Sequence, residues 1–326
     1  MIEILLKEWI EQVKYYIHLI ADYSIKESQV GAVLDDVLNL SGKMLRSKLL
    51  LLCAFLGSNW KNNKEKICKL AAMVELTHLA SLIHDDIVDD SPYRRGKVSV
   101  QGKYGKDAAV FAGDFLIARI FYYGAVENLN EAVSILSKTV EYMCIGEIEQ
   151  DLCRYQEDIS EKKYFENIER KTAALFQAAS YIGAKEAGCS EEIIQKLELF
   201  VKNLGLMFQL KDDILDFTSN SKELGKETHK DFQNGIYTFP VIMALKNPKA
   251  KEVLLPIMRK NKEEKLSLAE ILQLQNYIIQ FGGIEASYEK IKYLSTINKQ
   301  LIKELGQNLE ITVYLEKMLN DLEVEK

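Results

Sequence analysis

Proline is almost absent from this chain, with four in 326 residues, and only seventeen glycines accompany them. Long stretches rich in Leu, Ile, Ala, Glu and Lys therefore run without helix breakers, which predicts an all-α fold of long helices with few strands. Cysteine is also sparse. The five thiols, Cys53, Cys68, Cys144, Cys153 and Cys189, form no CxxC pair and sit mostly among apolar helical residues. That pattern argues against a disulfide framework or a zinc site and predicts reduced core thiols. Positive charge is not in excess either. A net charge of -6 gives no general attraction to nucleic acid or anionic membrane, so any basic site must be local. No apolar run approaches the roughly 18 uninterrupted residues of a transmembrane helix. The N-terminal MIEILLKEWIEQVKYYI is interrupted by Glu3, Lys7, Glu8 and Glu11, unlike a signal sequence. A cytoplasmic protein without a transmembrane segment is predicted.

What is present is helical periodicity. Apolar positions recur at three-and-four spacing over residues 2–20, 65–90, 107–123, 131–151, 164–185, 191–217 and 285–303, implying at least seven helices. A hydrophobic content of 48% suffices for a sizeable core, and no repeat, low-complexity tract or linker divides the chain. A single helical domain over 1–326 is predicted. One polar, glycine-containing stretch, TSNSKELGKETHKDFQNGIY at 218–237, has no clear period, and long loops inside compact domains are often functional.

The segment HDDIVDDSPYRRG at 84–96 places four aspartates in six positions. With residues 65–90 read as one helix ended by Ser91-Pro92, Asp85, Asp86, Asp89 and Asp90 fill its last turn. The partial negative charge of a helix C-terminus disfavours carboxylates there. Asp85 with Asp89, and Asp86 with Asp90, are also like-charged i,i+4 neighbours. At ~6 Å and an effective dielectric of ~20, each repulsion is on the order of 3 kcal/mol, less in full solvent. The arrangement returns in FQLKDDILDF, where Asp212, Asp213 and Asp216 close the run 191–217. One acidic helix end is readily explained as a solvated surface; two DDxxD copies with basic residues nearby are not. Magnesium resolves the repulsion, since it takes oxygen ligands and is usually held by a few carboxylates plus substrate phosphates. Lysines and arginines should then hold the remaining phosphate oxygens. Candidates are Arg94 and Arg95 after the first motif, Lys43 and Arg46 in SGKMLRSKL, Lys171 in RKTAALF and Lys226 in the long loop.

Taken in order, SGKMLRSKL, ELTHLASLIHDDIVDDSPYRRG, AGDFLIARIF, GEIEQ, KTAALFQAA, FQLKDDILDF and LGKETHKDFQNGIYTFP resemble the motif set of the trans-isoprenyl diphosphate synthases, the polyprenyl synthetases, over roughly residues 35–290. The resemblance implies an isoprenoid-synthase-type helical bundle around a deep central cavity, with a homodimer as the expected assembly and a heteromeric partner as the alternative. It implies that isopentenyl diphosphate is condensed with an allylic diphosphate, geranyl, farnesyl or geranylgeranyl, to a longer trans-polyprenyl diphosphate. Magnesium, three ions per site, is the implied cofactor. Asp85, Asp89 and Asp212 match direct ligands, with Asp86, Asp213 and Asp216 ligating or supporting them. Arg94, Lys171 and Lys226 match the allylic diphosphate site; Lys43, Arg46, His78 and Arg95 match the isopentenyl diphosphate site. Thr172, Phe208 and Gln209 match residues lining the reacting carbons. The chain departs from the family pattern at Ser41, Met44, Ser47, Lys97-Val98 and His229.

The growing product is expected to run along the helix carrying the first motif, so Ala80 and Ser81, then Thr77 and Val74, would set its room. None is bulky, which suggests a product above fifteen carbons. Two other enzyme classes fit less well. Terpene cyclases generally replace the second motif with an Asn/Asp-Ser/Thr-Glu pattern, whereas this chain has DDILD; a di-iron bundle needs two ExxH motifs, and only Glu75-x-x-His78 is found.

Overall fold

Every long periodic segment folds as a helix. The computed structural model describes residues 2–22, 28–39, 42–94, 96–218, 230–306 and 309–323. Its helices are α1 Ile2–Ile20, α2 Gln29–Leu38, α3 Leu45–Ala54, α4 Lys64–Val88, α5 Val100–Tyr104, α6 Lys106–Val126, α7 Asn130–Leu152, α8 Glu161–Ile168, α9 Ala174–Glu186 and α10 Glu191–Thr218. They continue with α11 Lys230–Gln233, α12 Phe239–Ala244, α13 Pro248–Glu263, α14 Leu268–Gln280, α15 Gly283–Leu305 and α16 Leu309–Asn320. The rare prolines sit largely where helices tolerate them: Pro240 and Pro248 occupy first turns, while Pro256 lies inside α13. The expected helix over 164–185 is instead α8 and α9 joined by a π-helical turn, Glu169–Ala173.

The contacts group the chain into two compact units. The first comprises Met1–Val140, Leu175–Glu198 and Leu305–Tyr314. α4 is its centre. Every residue from Leu70 to Thr77 is buried, as in a helix that lies inside a core, and α4 packs against α1, α3 and α6. Leu49, Leu50, Leu51 and Leu52 of α3 are buried beside it, each contributing roughly 1.5–3 kcal/mol relative to exposure. On α1, Trp9 meets Phe55 edge-on at 4.9 Å between centroids. A two-residue hairpin, β1 Tyr93–Arg94 with β2 Lys97–Val98, follows α4 in the register Arg94↔Lys97. Gly96 turns it in the left-handed region at φ 77°, which glycine adopts without a Cβ clash.

The second unit comprises Glu141–Ala174, Leu199–Glu304 and Leu315–Lys326. Ser160 caps α8 by accepting from the Lys163 amide. α10 and α15 are joined by buried amides, Asn203 Nδ2 donating to Asn298 Oδ1 at 3.0 Å and Asn298 Nδ2 to the Phe200 carbonyl at 3.0 Å. By length and composition α4 and α6 could each cross a membrane; 72% of the most apolar window of α4 is buried within the protein, against 39% for α6.

Candidate functional site

In the first unit the helix ends earlier than its aspartates do. α4 stops at Val88, Asp89 is its C-cap, and Asp90 takes a left-handed conformation at φ 48°. The Ser91 amide bonds the Asp86 carbonyl at 2.9 Å and the Asp90 amide bonds the Ile87 carbonyl at 3.2 Å, so a Schellman motif terminates the helix. Aspartate tolerates the position that glycine usually takes. The protein's own cations address one i,i+4 pair: Arg94 Nε lies 2.8 and 2.9 Å from the two oxygens of Asp86, and Lys106 Nζ lies 2.9 Å from Asp90 Oδ1. Asp86 is 3% exposed, and Gln101 Nε2 donates to its main-chain carbonyl at 2.5 Å. Asp85 is half-buried and Asp89 exposed.

Arg46, from the first turn of α3, reaches α4. Its Nη1 lies 2.8 Å from His78 Nε2, and its Cζ stands 4.4 Å from the centroid of Phe176 in the KTAALF segment. An arginine can only donate, so His78 Nε2 accepts and the imidazole is the neutral Nδ1–H tautomer. Three residues upstream of His78, buried Glu75 accepts from Ser47 Oγ at 2.9 Å. Ser47 stands where the family commonly has proline, and here it joins α3 to α4. Met44, in place of a basic residue, is buried in the left-handed region at φ 51°. Neighbouring Lys43 is exposed. Of the expected chain-length positions, Val74, Thr77 and Ala80 are buried and Ser81 is half-buried.

In the second unit the π-helical turn presents Lys171 and Thr172; such turns interrupt α-helices frequently at functional sites. Two glycines let helices approach it. A Cβ on Gly146 of α7 would meet Arg170 Cβ at 2.8 Å, and one on Gly205 of α10 would meet Ala173 Cβ at 2.7 Å. Lys171 Nζ pairs with Glu147 of GEIEQ at 3.0 Å. Thr172 Oγ1 donates to Gln209 Oε1 at 2.9 Å, Gln209 Nε2 donates to Asp213 Oδ1 at 3.0 Å, and Tyr164 Oη donates to Asp213 Oδ2 at 2.5 Å. Asp213 is 1% exposed, and burial pushes its carboxyl up to about 7 against the opposing pull of its two donors. Burial, with Asp213 beside it, pushes the Tyr164 hydroxyl well above its ordinary value. Phe208 and Gln209 are half-buried, Asp216 is half-buried and Asp212 is exposed.

Each unit therefore gathers part of the expected set: Arg46 with His78 and Asp86 with Arg94 in the first, Lys171, Thr172, Gln209 and Asp213 in the second. Arg95, Lys226 and most of the 218–237 stretch lie outside the described residues. Tyr164, Glu147 and Gln101 were missed by sequence reasoning. Glu147 alone carried a signal, lying in the GEIEQ motif. The i,i+4 pairs Asp85/Asp89 and Asp212/Asp216 are hard oxygen donors suited to magnesium. Among the described residues no three metal-binding side chains already converge. That donor set fits an ion whose shell is completed by substrate oxygens, not by a protein cage.

The Polyprenyl synthetase family model matches residues 27–275. The chain belongs to the polyprenyl synthetase family. Heptaprenyl diphosphate synthase component 2 of Geobacillus stearothermophilus is 34% identical over 265 residues, 80% of each chain. Among solved structures, a polyprenyl synthase from Caulobacter crescentus, complexed with calcium and isoprenyl diphosphate, superposes with a TM-score of 0.86 at 29% identity, covering 98% of this chain and 95% of that one. A decaprenyl diphosphate synthase from Rhodobacter capsulatus gives 0.86 at 27% identity over 98% and 96%. The all-α expectation and the family resemblance both hold. All five cysteines are free thiols, but only Cys53 and Cys68 are core residues, with burial pushing both up to about 12; Cys144 is exposed and Cys153 and Cys189 are half-buried, contrary to the expectation.

Proposed function

We propose that this polyprenyl synthetase condenses isopentenyl diphosphate with an allylic diphosphate, geranyl, farnesyl or geranylgeranyl, to a trans-polyprenyl diphosphate longer than fifteen carbons. The observation that carries the reading is the division of labour within each DDxxD motif. One aspartate, Asp86 or Asp213, is drawn into the protein by Arg94 or by Tyr164 and Gln209. Asp85, Asp89 and Asp212 are the proposed magnesium ligands, with Asp216 beside them, and three ions are proposed per site. Magnesium supplies Lewis-acid neutralisation of the charge that develops on the leaving diphosphate.

The chain's own residues do the rest. Arg94, Lys171 and Lys226 hold the allylic diphosphate, Lys171 exchanging its Glu147 partner for phosphate oxygen. Lys43, Arg46, His78 and Arg95 hold isopentenyl diphosphate; the Phe176 ring and His78 keep the Arg46 guanidinium in one orientation. The allylic C–O bond breaks, the isopentenyl double bond attacks the freed carbon, and a proton passes to the released pyrophosphate. Thr172 and Gln209 turn their dipoles to the electron-poor carbon beside Phe208 and help exclude water. Val74, Thr77, Ala80 and Ser81 bound the product channel.

A second copy of the chain is the proposed partner. α6 supports it with an apolar stripe in which Phe111 is 71%, Tyr122 61% and Val126 58% exposed. The name of the Geobacillus relative, a component 2, supports the alternative of a catalytic subunit in a heteromeric enzyme. The burial of α4 supports a core helix over a membrane span, and the cytoplasm is the proposed location. The deciding assay takes the purified chain alone with farnesyl diphosphate, radiolabelled isopentenyl diphosphate and magnesium, with products resolved by reversed-phase TLC. Products beyond C15 are expected. No incorporation alone, restored by a second polypeptide, selects the heteromeric form; cyclised hydrocarbon from farnesyl diphosphate alone overturns the assignment.

A further inference from the structure

We propose that Tyr164 is a positioning residue that fixes the polarity of the Thr172 hydroxyl through Asp213 and Gln209, an inference that rests on the prenyl-transfer reading above. Asp213 accepts on both of its oxygens, from the Tyr164 hydroxyl and from Gln209, and so sets which end of the Gln209 amide faces it. That end is the NH2, at 3.0 Å. The amide oxygen is thereby turned to Thr172 Oγ1, 2.9 Å away, and only the threonine proton completes that bond. With its single proton committed, the Thr172 oxygen has only lone pairs left for its surroundings. Such a hydroxyl suits an electron-poor carbon and cannot donate to phosphate.

Tyr164 is the fixed end of the chain. It is 6% exposed, and its ring lies 5.2 Å from Phe165 and 5.4 Å from Phe239 between centroids, so packing sets the direction of its hydroxyl. Asp213 is 1% exposed and water does not readily replace a lost donor there. Without the Tyr164 hydroxyl the carboxylate turns to recover a partner, and the Gln209 amide loses its fixed orientation. Phenylalanine at 164 keeps the ring packing and removes only that donor.

The test is steady-state kinetics with magnesium, farnesyl diphosphate and radiolabelled isopentenyl diphosphate on the wild type, Y164F, T172V and the double variant. Turnover by the wild type, alone or with a second polypeptide that restores it, is read first, because its absence in both cases defeats the prenyl-transfer reading and not this one. Y164F is expected to lower kcat roughly tenfold to a hundredfold with both KM values within about threefold. The double variant is expected to match T172V alone, because Tyr164 acts through that hydroxyl. A wild-type kcat for Y164F, or losses that multiply in the double variant, overturns the proposal. D213N provides a route that leaves Tyr164 in place, should Y164F not fold. It is expected to lower kcat, again without further loss on T172V, and to leave the half-saturating magnesium concentration within about threefold. A shift above about tenfold makes Asp213 a ligand and overturns the proposal as well.

Discussion

Replacing Gly205 with alanine separates what the π-helical turn needs for activity from what α10 needs for stability. The added Cβ would sit 2.7 Å from Ala173 Cβ and 2.8 Å from Ala173 Cα, where ordinary contact begins at 3.4 Å. Either the turn or α10 must therefore yield by about 0.7 Å, and overpacking of this kind costs about 1–3 kcal/mol. Alanine in a helix interior regains about 1 kcal/mol over glycine. The net destabilisation is about 0–2 kcal/mol, a melting-temperature drop of a few degrees. The effect on rate is larger. Ala173 adjoins Thr172, and misplacing a reacting-site group by about 1 Å costs on the order of a hundredfold, so kcat is expected to fall roughly tenfold to a hundredfold. Circular dichroism melting beside radiolabelled isopentenyl diphosphate incorporation measures both. A folded G205A with kcat within twofold of wild type would refute the claim that this close approach positions the turn.

Ala80→Tyr is expected to shorten the product on TLC with little change in melting temperature if residue 80 borders the channel; unchanged product with about 1–3 kcal/mol of destabilisation assigns it to helix packing. If the proposed dimer forms through α6, Phe111→Asp is expected to convert it to monomer in sedimentation velocity, and an unchanged dimer sedimentation coefficient would clear α6 of the interface. Glu270, in the capping box of α14, is held down to about 2 by Lys260 and Ser267 donors, against an ordinary 4.5. A depressed carboxyl contributes stability that is present above 4.5 and lost as pH falls through about 2, so fraying of α14 followed by amide exchange should grow over that window and E270Q should abolish the dependence. Cys144 is exposed but desolvation and Glu147 push its thiol up, so it should react slowly with a thiol reagent in the folded protein, whereas Cys53 and Cys68 should react only on unfolding.

The sequence carried the long helices because their burial patterns are periodic: α1 spans 2–20 as expected, α10 ends one residue beyond the expected 217, and α4 stops two short of 90. Of the helices between 230 and 280, α11 and α12 were not legible because four or six residues hold too few turns for a period to emerge, whereas α13 Pro248–Glu263 and α14 Leu268–Gln280 are long enough to show one and were overlooked. The acidic repulsion at 85–90 was also read only in part. Counting charges along one helix shows the crowding, but Lys106 on α6 and Arg94 on the hairpin relieve half of it, and neither position follows from spacing. Tyr164 escaped notice for the opposite reason: an aromatic residue on a helical face looks like core until the carboxylate it meets is known.

The π-helical turn also changes how the surrounding sequence must be read. A π-turn accommodates one residue more than regular α-helix, so side chains on its two sides are out of phase by about 100°. A helical wheel drawn straight through 161–186 would assign the face of Tyr164 and the face of Phe176 to a common frame they do not share. A single-residue deletion within 169–173 could heal into unbroken helix, leaving a well-folded chain whose lysine and threonine look in the wrong direction. Alignment gaps at that point, ordinarily dismissed as drift, would mark chains that had kept the scaffold and lost the chemistry.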